Sequence, residues 1–365
     1  MNPSILILGK IPPPYYGPAI ATKIILESEL NKDFQLVHFD TRLNSSVETI
    51  GQFAVSKVIN SIFMYFRFFK TLKSSHPDIV LLPISQSIGG FFKDSLYVLV
   101  SKCSKRKVLI HLRGSKFKSI VDQGPFYFKL YVKFVFLFCI GAIVLGNNLR
   151  FIFEKYFLSD RIFVVPNGAN YDFPKNEKIE GEVSILYLSN LQPSKGILDF
   201  VNAIKCVDAS LENVQFTICG EWRDDQTRKQ VLDIVQENHF PVVIQSLTDQ
   251  NTKLSVLKRS DLFVFPPRAP EGHPWVIVEA LAAGLPIIST DQGAIRESVI
   301  DGYNGYIVSP CNPEQIAEKI SVLIKNRALR KEMGRNSRSH YEANFTESKM
   351  VENLRSCFSI LIQSE

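Results

Sequence analysis

Several signatures of familiar chemistry are missing from this sequence. No GxGxxG follows any predicted strand, so the phosphate turn of a nicotinamide-binding Rossmann domain is absent. GxxxxGK followed by Ser or Thr does not occur, which excludes a P-loop triphosphatase; HExxH and GxSxG are missing as well. There is no Asp-x-Asp with which a carboxylate-bound metal could hold a nucleoside diphosphate. Any phosphate must therefore be met by helix amino termini, backbone amides and cationic side chains. The six cysteines (Cys103, Cys139, Cys206, Cys219, Cys311, Cys357) form no CxxC pair. They read as small buried hydrophobes of a reducing compartment, with no structural zinc site. Long apolar runs are scarce too. Ile5 to Leu8 is shorter than the ~7–15-residue core of a signal peptide and reads as a first strand.

What is present is an ordinary globular composition, 45% hydrophobic and 21% charged over 365 residues. That excludes a disordered chain, a collagen-like repeat and a disulfide miniprotein, and the length suits about two domains. The net charge of +6 is unevenly spread: residues 1–170 carry +11 and residues 171–365 carry −5. A basic first half points to phosphates, nucleic acid or an anionic membrane. No nucleic-acid module is recognisable in it.

Short aliphatic runs alternate with helical stretches throughout. In the first half they are SILIL (4–8), QLVHF (35–39), DIVLL (78–82), KVLIH (107–111), AIVL (142–145) and RIFVV (161–165). Near-continuous apolar character, rather than alternation, predicts parallel strands covered on both faces. The pattern restarts after a Pro-, Asn- and Gly-rich stretch at 166–181, the best linker candidate. SILYLS (184–189), QFTICG (215–220), VVIQ (242–245), DLFVF (261–265) and PIIST (286–290) follow. Two doubly wound α/β domains in tandem are predicted, with ligands at the carboxyl ends of their strands. Residues 56–73 and 126–146 are rich in aromatics and interrupted by Lys and Arg. They fit either a core helix, followed in 126–146 by a strand, or a basic amphipathic helix on an anionic leaflet; a membrane span needs about 20 apolar residues and is not expected.

Four constellations fall at predicted strand ends. EGHPWVIVEALAAGLPIIST (271–290) puts Glu271 in a loop and Glu279 inside the following helix, with Pro274 suited to its first position. Two carboxylates so placed can accept hydroxyls from two parts of one ligand, or can simply favour a helix amino terminus. LSNLQPSKG (188–196) sets Lys195 beside a helix start, where a diphosphate could be cradled. KIPPPYYGPA (10–19) is a proline-stiffened turn in which Gly17 permits close approach. In LIHLRG (109–114), His111 and Arg113 emerge from an apolar strand, as functional or as structural groups.

At these residues the sequence resembles the GT-B-fold retaining glycosyltransferases of family 4, in particular bacterial polysaccharide and lipopolysaccharide members. The likeness is most specific over 184–310, where Glu271 and Glu279 are followed by GLPIISTDQGAIRESVIDGYNGYIV. It implies an acceptor-binding Rossmann-like domain over 1–168, a nucleotide-sugar-binding domain over 169–345, a cleft between them, and a helix at 346–365 that crosses back to the first. It also implies sugar transfer from a UDP- or GDP-linked donor to a glycan or lipid-linked acceptor, without a metal, in the cytoplasm or peripherally at the inner face of the plasma membrane. An epimerase of the same fold and a non-catalytic sugar-nucleotide scaffold are the alternatives.

By the same resemblance, Glu271 with Gly272 would meet the donor sugar, Glu279 the ribose, and Lys195 the diphosphate. Asn190 stands where the family usually has an arginine, and Arg268 or Arg113 would compensate. Of the usual Gly-Gly pair only Gly17 carries over. His111 would touch the donor sugar as part of a catalytic set with Glu271 and Lys195, and Arg113 would bind the acceptor. Glu297 matches an acidic position of open role.

Overall fold

The computed structural model describes residues 2–13, 15–42, 55–174, 181–208, 210–237, 241–246 and 249–363. The chain divides into two compact units, Met1–Pro166 with Glu347–Glu365, and Asn167–Thr346. Residues 175–180 of the expected linker, and the side chain of Lys57 in the 56–73 stretch, lie outside the described residues.

The first unit is built on six strands: β1 (Ser4–Gly9), β2 (Gln35–Asp40), β3 (Ile79–Pro83), β4 (Lys107–His111), β5 (Cys139–Val144) and β6 (Ile162–Val164). Their order is β2-β1-β3-β4-β5-β6, every pairing parallel. All six residues of β1 are buried, which is why its sequence shows no polar face. Because the chain leaves β1 in one direction and β3 in the other, a crevice is expected where their carboxyl ends part. The helix Glu347–Gln363 closes this sheet. Met350, Val351, Leu354, Phe358 and Leu361 join Ile5, Ile7 and Leu109 in one apolar cluster, and Arg355 pairs with Asp33 at 2.7 Å.

The 126–146 stretch resolves into the helix Phe126–Phe136, whose Phe128, Val132 and Val135 are buried, and then β5. No helix among the described residues is long and apolar enough to cross a membrane. The cysteines depart from expectation: Cys219 and Cys357 are buried, but Cys103, Cys206 and Cys311 are exposed, and all six are free thiols. Apolar packing does not account for the exposed three.

The second unit repeats the plan with β7 (Val183–Leu188), β8 (Val214–Cys219), β9 (Val242–Gln245), β10 (Leu262–Phe265), β11 (Ile287–Thr290) and β12 (Gly305–Val308), ordered β12-β11-β10-β7-β8-β9. Successive residues of β7 feed opposite layers. Ile185 and Tyr187 pack with the helix Ile197–Cys206, whereas Leu186 and Leu188 pack with the helix Trp275–Ala282. The edge strand β12 was not expected. It is only four residues long and follows the turn Asp301–Asn304, so its apolar run is brief. Here the crevice position lies between β7 and β10.

Candidate functional site

Two loops meet at that position. After β7 the chain makes a short 3-10 turn, Pro193–Lys195, and then Gly196 adopts a left-handed conformation at φ 78°. A Cβ on Gly196 would lie 1.9 Å from the Pro266 carbonyl oxygen, so the close approach of the two loops requires glycine there. Arg268 N–H donates to the Ser194 carbonyl at 3.0 Å across the same seam. Tyr187 rises from β7 and donates its hydroxyl to the Lys195 carbonyl at 3.0 Å. With the backbone so held, Lys195 Nζ reaches Glu271 Oε1 at 2.5 Å, both side chains largely shielded. The pair stands beside the amino terminus of the helix Ile197–Cys206, where unpaired N–H groups create positive potential.

Glu271 and Gly272 are buttressed from behind. Gly293, at φ 59°, lets its loop pass under them; a Cβ there would fall 1.8 Å from the Glu271 carbonyl oxygen. Ala294 N–H donates to the Gly272 carbonyl at 2.8 Å. Next in the chain, His273 is 4% exposed. Its Nδ1 accepts the Asn167 N–H at 2.9 Å, so Nε2 carries the proton and donates to Ser298 Oγ at 2.7 Å. Burial, reinforced by His340, lowers its pKa to about 3. Pro274 sits just before the helix, which begins at Trp275, one residue later than the sequence suggests.

The other expected donor residues are each engaged. Glu279, 3% exposed, is bound through Oε1 by Lys253, while Oε2 has no partner among the described residues. Burial raises its pKa, and Lys253 opposes that rise. Arg268 grips Asp199 with two bonds, 2.6 Å and 2.5 Å, so its charge is matched there. Asn190 Oδ1 accepts from Arg223 Nη2 at 2.8 Å.

Gly17, His111 and Arg113 belong to the first unit. Gly17 opens the helix Gly17–Glu27 after β1. His111 ends β4, 2% exposed, and neither ring nitrogen has a partner among the described residues. Burial first, then the Arg113 charge, holds its pKa well below the usual imidazole value.

Residues 170–340 match the family described as Glycosyl transferases group 1. The matched span lies wholly within the second unit and takes in just under half of the chain. An uncharacterized glycosyltransferase of Methanocaldococcus jannaschii is 31% identical over 208 residues, covering 56% of this chain and 55% of that protein. The match thus spans just over half of that relative's length. The capsular polysaccharide biosynthesis glycosyltransferase CapM of Staphylococcus aureus is 26% identical over 281 residues, 71% of this chain and 72% of its own. Among solved structures, the sucrose-phosphate synthase of Thermosynechococcus elongatus superposes with a TM-score of 0.76 at 16% identity, covering all of both chains. HepE of Anabaena, in complex with UDP-glucose, gives 0.72 at 15% identity over 98% and 99%. The shared architecture is the GT-B fold, two parallel α/β sheet units in tandem.

The matched span contains Asn190, Lys195, Arg268, Glu271, Gly272 and Glu279; Gly17, His111 and Arg113 lie outside it. Of the residues inside it the fold joins Lys195 to Glu271 and gives the rest separate partners. Those partners, Lys253, Asp199 and Arg223, escaped the sequence reading. Each lies tens of residues from the group it serves, and nothing in its local sequence marks the pairing.

Proposed function

We propose that this glycosyltransferase moves a hexose from a nucleoside diphosphate to a glycan or lipid-linked acceptor in surface polysaccharide biosynthesis, with retention of configuration. The observation that carries the reading is the Lys195–Glu271 pair at 2.5 Å, set against a helix amino terminus at the carboxyl ends of β7 and β10. The two groups neutralise each other. An incoming diphosphate competes with Glu271 for Nζ, and Glu271, once displaced, accepts a hydroxyl of the donor sugar. The unpaired Oε2 of Glu279 is the acceptor for the ribose.

During transfer the bond between C1 and the phosphate oxygen breaks and its electron pair passes to the leaving diphosphate. Lys195 and the helix N–H groups stabilise that developing charge. The acceptor hydroxyl oxygen bonds to C1 from the same face, and its proton passes to the departing phosphate oxygen. Arg223, whose guanidinium donates to the neutral Asn190 amide and forms no ion pair among the described residues, brings a second positive charge to the site. In this reading side chains and amides take the part that a metal plays elsewhere. His111 contacts the sugar.

The reading also places the enzyme on the cytoplasmic face of a membrane. Phe63, Phe66, Phe126, Tyr127 and Phe134 are exposed on the basic first unit, and Lys70 Nζ lies 4.6 Å from the Phe66 ring centre. The decisive measurement is a thermal-shift screen with UDP, GDP, ADP and their sugars. Selective stabilisation by one nucleotide supports the proposal and names the donor class; no stabilisation by any of them removes it.

A further inference from the structure

A recess of about 940 Å³ opens on the second unit, and the donor reading makes no use of it. Val183 at the start of β7, Asp261 just ahead of β10 and Pro286 just ahead of β11 line it. It therefore lies at the amino ends of the strands, whereas Lys195 and Glu271 follow carboxyl ends. Its other wall is the helix Arg327–Asn344. The two walls meet at glycine. A Cβ on Gly334 would fall 2.5 Å from the Gly284 carbonyl oxygen, so the floor there is bare backbone. The volume is at the upper end of the ~300–1,000 Å³ typical of ligand sites.

Charge is sorted on that helix. All five of its cations, Arg327, Arg330, Lys331, Arg335 and Arg338, line the recess, and its two carboxylates, Glu332 and Glu342, do not. The cations fall at i, i+3, i+4, i+8 and i+11, a single helical stripe. They gather in the half of the chain that carries −5 overall. Like charges four residues apart repel by ~0.2–0.5 kcal/mol per pair, so Arg327, Lys331 and Arg335 oppose one another.

Little within the protein offsets them. Arg338 pairs with Glu342 at 2.6 Å and donates to the Ala282 carbonyl at 2.7 Å. Arg330 donates to the carbonyls of Leu323 and Ile324 at 2.5 Å and 2.7 Å, acceptors without net charge. Burial lowers its pKa, Asp261 opposes that fall, and the Arg327 charge adds to it. Arg327, Lys331 and Arg335 are exposed and form no ion pair among the described residues. The described lining holds two carboxylates, Glu182 and Asp261, and Asp261 already accepts the Ser184 N–H at 3.1 Å.

Four of the five cations are guanidiniums, whose planar fork matches phosphate oxygens. At 1.5 Å per residue, Arg327 to Arg338 spans about 16 Å, farther than one phosphate reaches. The stripe also lines a concavity, which a flat lipid leaflet does not enter. We propose that this recess binds a small molecule carrying two or more phosphate groups, held chiefly by Arg327, Lys331 and Arg335. The site is separate from the donor pair, and the binding does not depend on the transferase reading.

The test is calorimetric titration of the full chain, with and without excess UDP, using orthophosphate, fructose 1,6-bisphosphate and inorganic tripolyphosphate. At least one of the last two is expected to bind one-to-one, about tenfold or more tighter than orthophosphate, and to do so with UDP present. Lys331→Ala with Arg335→Ala is expected to weaken that probe about tenfold or more. The unfolding temperature should hold, because both positions are exposed and a like-charge contact is removed. Lys23→Ala with Lys32→Ala takes the same charge from the surface of the first unit and is expected to leave binding unchanged. Preference for the bisphosphate assigns a phosphorylated metabolite; preference for tripolyphosphate assigns a polyphosphate chain. The proposal is overturned if neither probe outbinds orthophosphate, if excess UDP abolishes the binding, or if the two double variants behave alike. UDP binding is read in the same experiment. Its absence sinks the transferase reading and leaves this site to be decided by the phosphate probes.

Discussion

Lys253, on the helix Gln250–Arg259, closes on Glu279, on the helix Trp275–Ala282, and the carboxylate is almost wholly buried where they meet. Burial favours the neutral acid, and the ammonium beside it favours the carboxylate. The pair therefore holds a charge inside the domain that neither residue could keep there alone.

Removing Lys253 strands that carboxylate. Lys253→Met is expected to destabilise the second unit by about 3–5 kcal/mol, and adding Glu279→Gln should recover part of the loss. Urea unfolding of the two variants checks this. A single-variant loss below about 1 kcal/mol would show that the pair is solvated and weak.

Lys195 and Glu271 should behave differently from each other. Lys195→Met is expected to lower kcat by about 10²–10³-fold, because it removes charge stabilisation from the transition state. Glu271→Gln should act on both KM and kcat, since it also frees Lys195 from its intramolecular partner. Steady-state kinetics with the donor identified by thermal shift separates the two. Equal, small effects from both would remove the diphosphate assignment.

Arg223 provides a charge that Asn190 cannot. Arg223→Ala is expected to weaken UDP binding about 5–30-fold, a loss of about 1–2 kcal/mol, with little change in unfolding temperature because the residue is a surface group. Asn190→Arg in the same background should restore most of the affinity. Calorimetry with UDP decides it, and unchanged affinity in Arg223→Ala would leave the guanidinium without a role.

His273 gives the fold a dependence on acid. Its folded pKa of about 3 lies below the ordinary imidazole value of 6.5, so between those limits the unfolded chain binds a proton that the folded chain does not. Stability therefore falls as pH drops below 6.5, by up to about 1.4 kcal/mol per unit, and the loss is complete near pH 3. His111, depressed in the same direction, adds to the slope. Thermal melts from pH 7 to 4.5 should show the decline, and it should be shallower in His273→Asn. An identical slope in that variant would count against the buried neutral ring.

The strands were the most readable part of this protein. Runs such as KVLIH and VVIQ coincide with β4 and β9 residue for residue; β4 is buried along its last four residues, as its apolar run implies, whereas the edge strand β9 leaves Val243 exposed. β12 was overlooked since four residues after a turn carry too little pattern. The strand-end loops holding Lys195 and Glu271 were legible as well, from the same alternation of strand and helix. The exposed Cys103, Cys206 and Cys311 were misjudged because composition reports a residue's preference and not its address.

The amino-acid order by itself determined the parallel sheets, the carboxyl-end loops and which charged side chains those loops carry. These follow from hydrophobic patterning over a few residues, where the physics is local. Tertiary structure alone decided which polar groups meet: Lys195 with Glu271, Arg268 with Asp199, Arg223 with Asn190, while Arg113 Nε has no partner among the described residues. Electrostatic partnership depends on distances of a few ångströms between groups remote in the chain, and only the packed fold sets those distances.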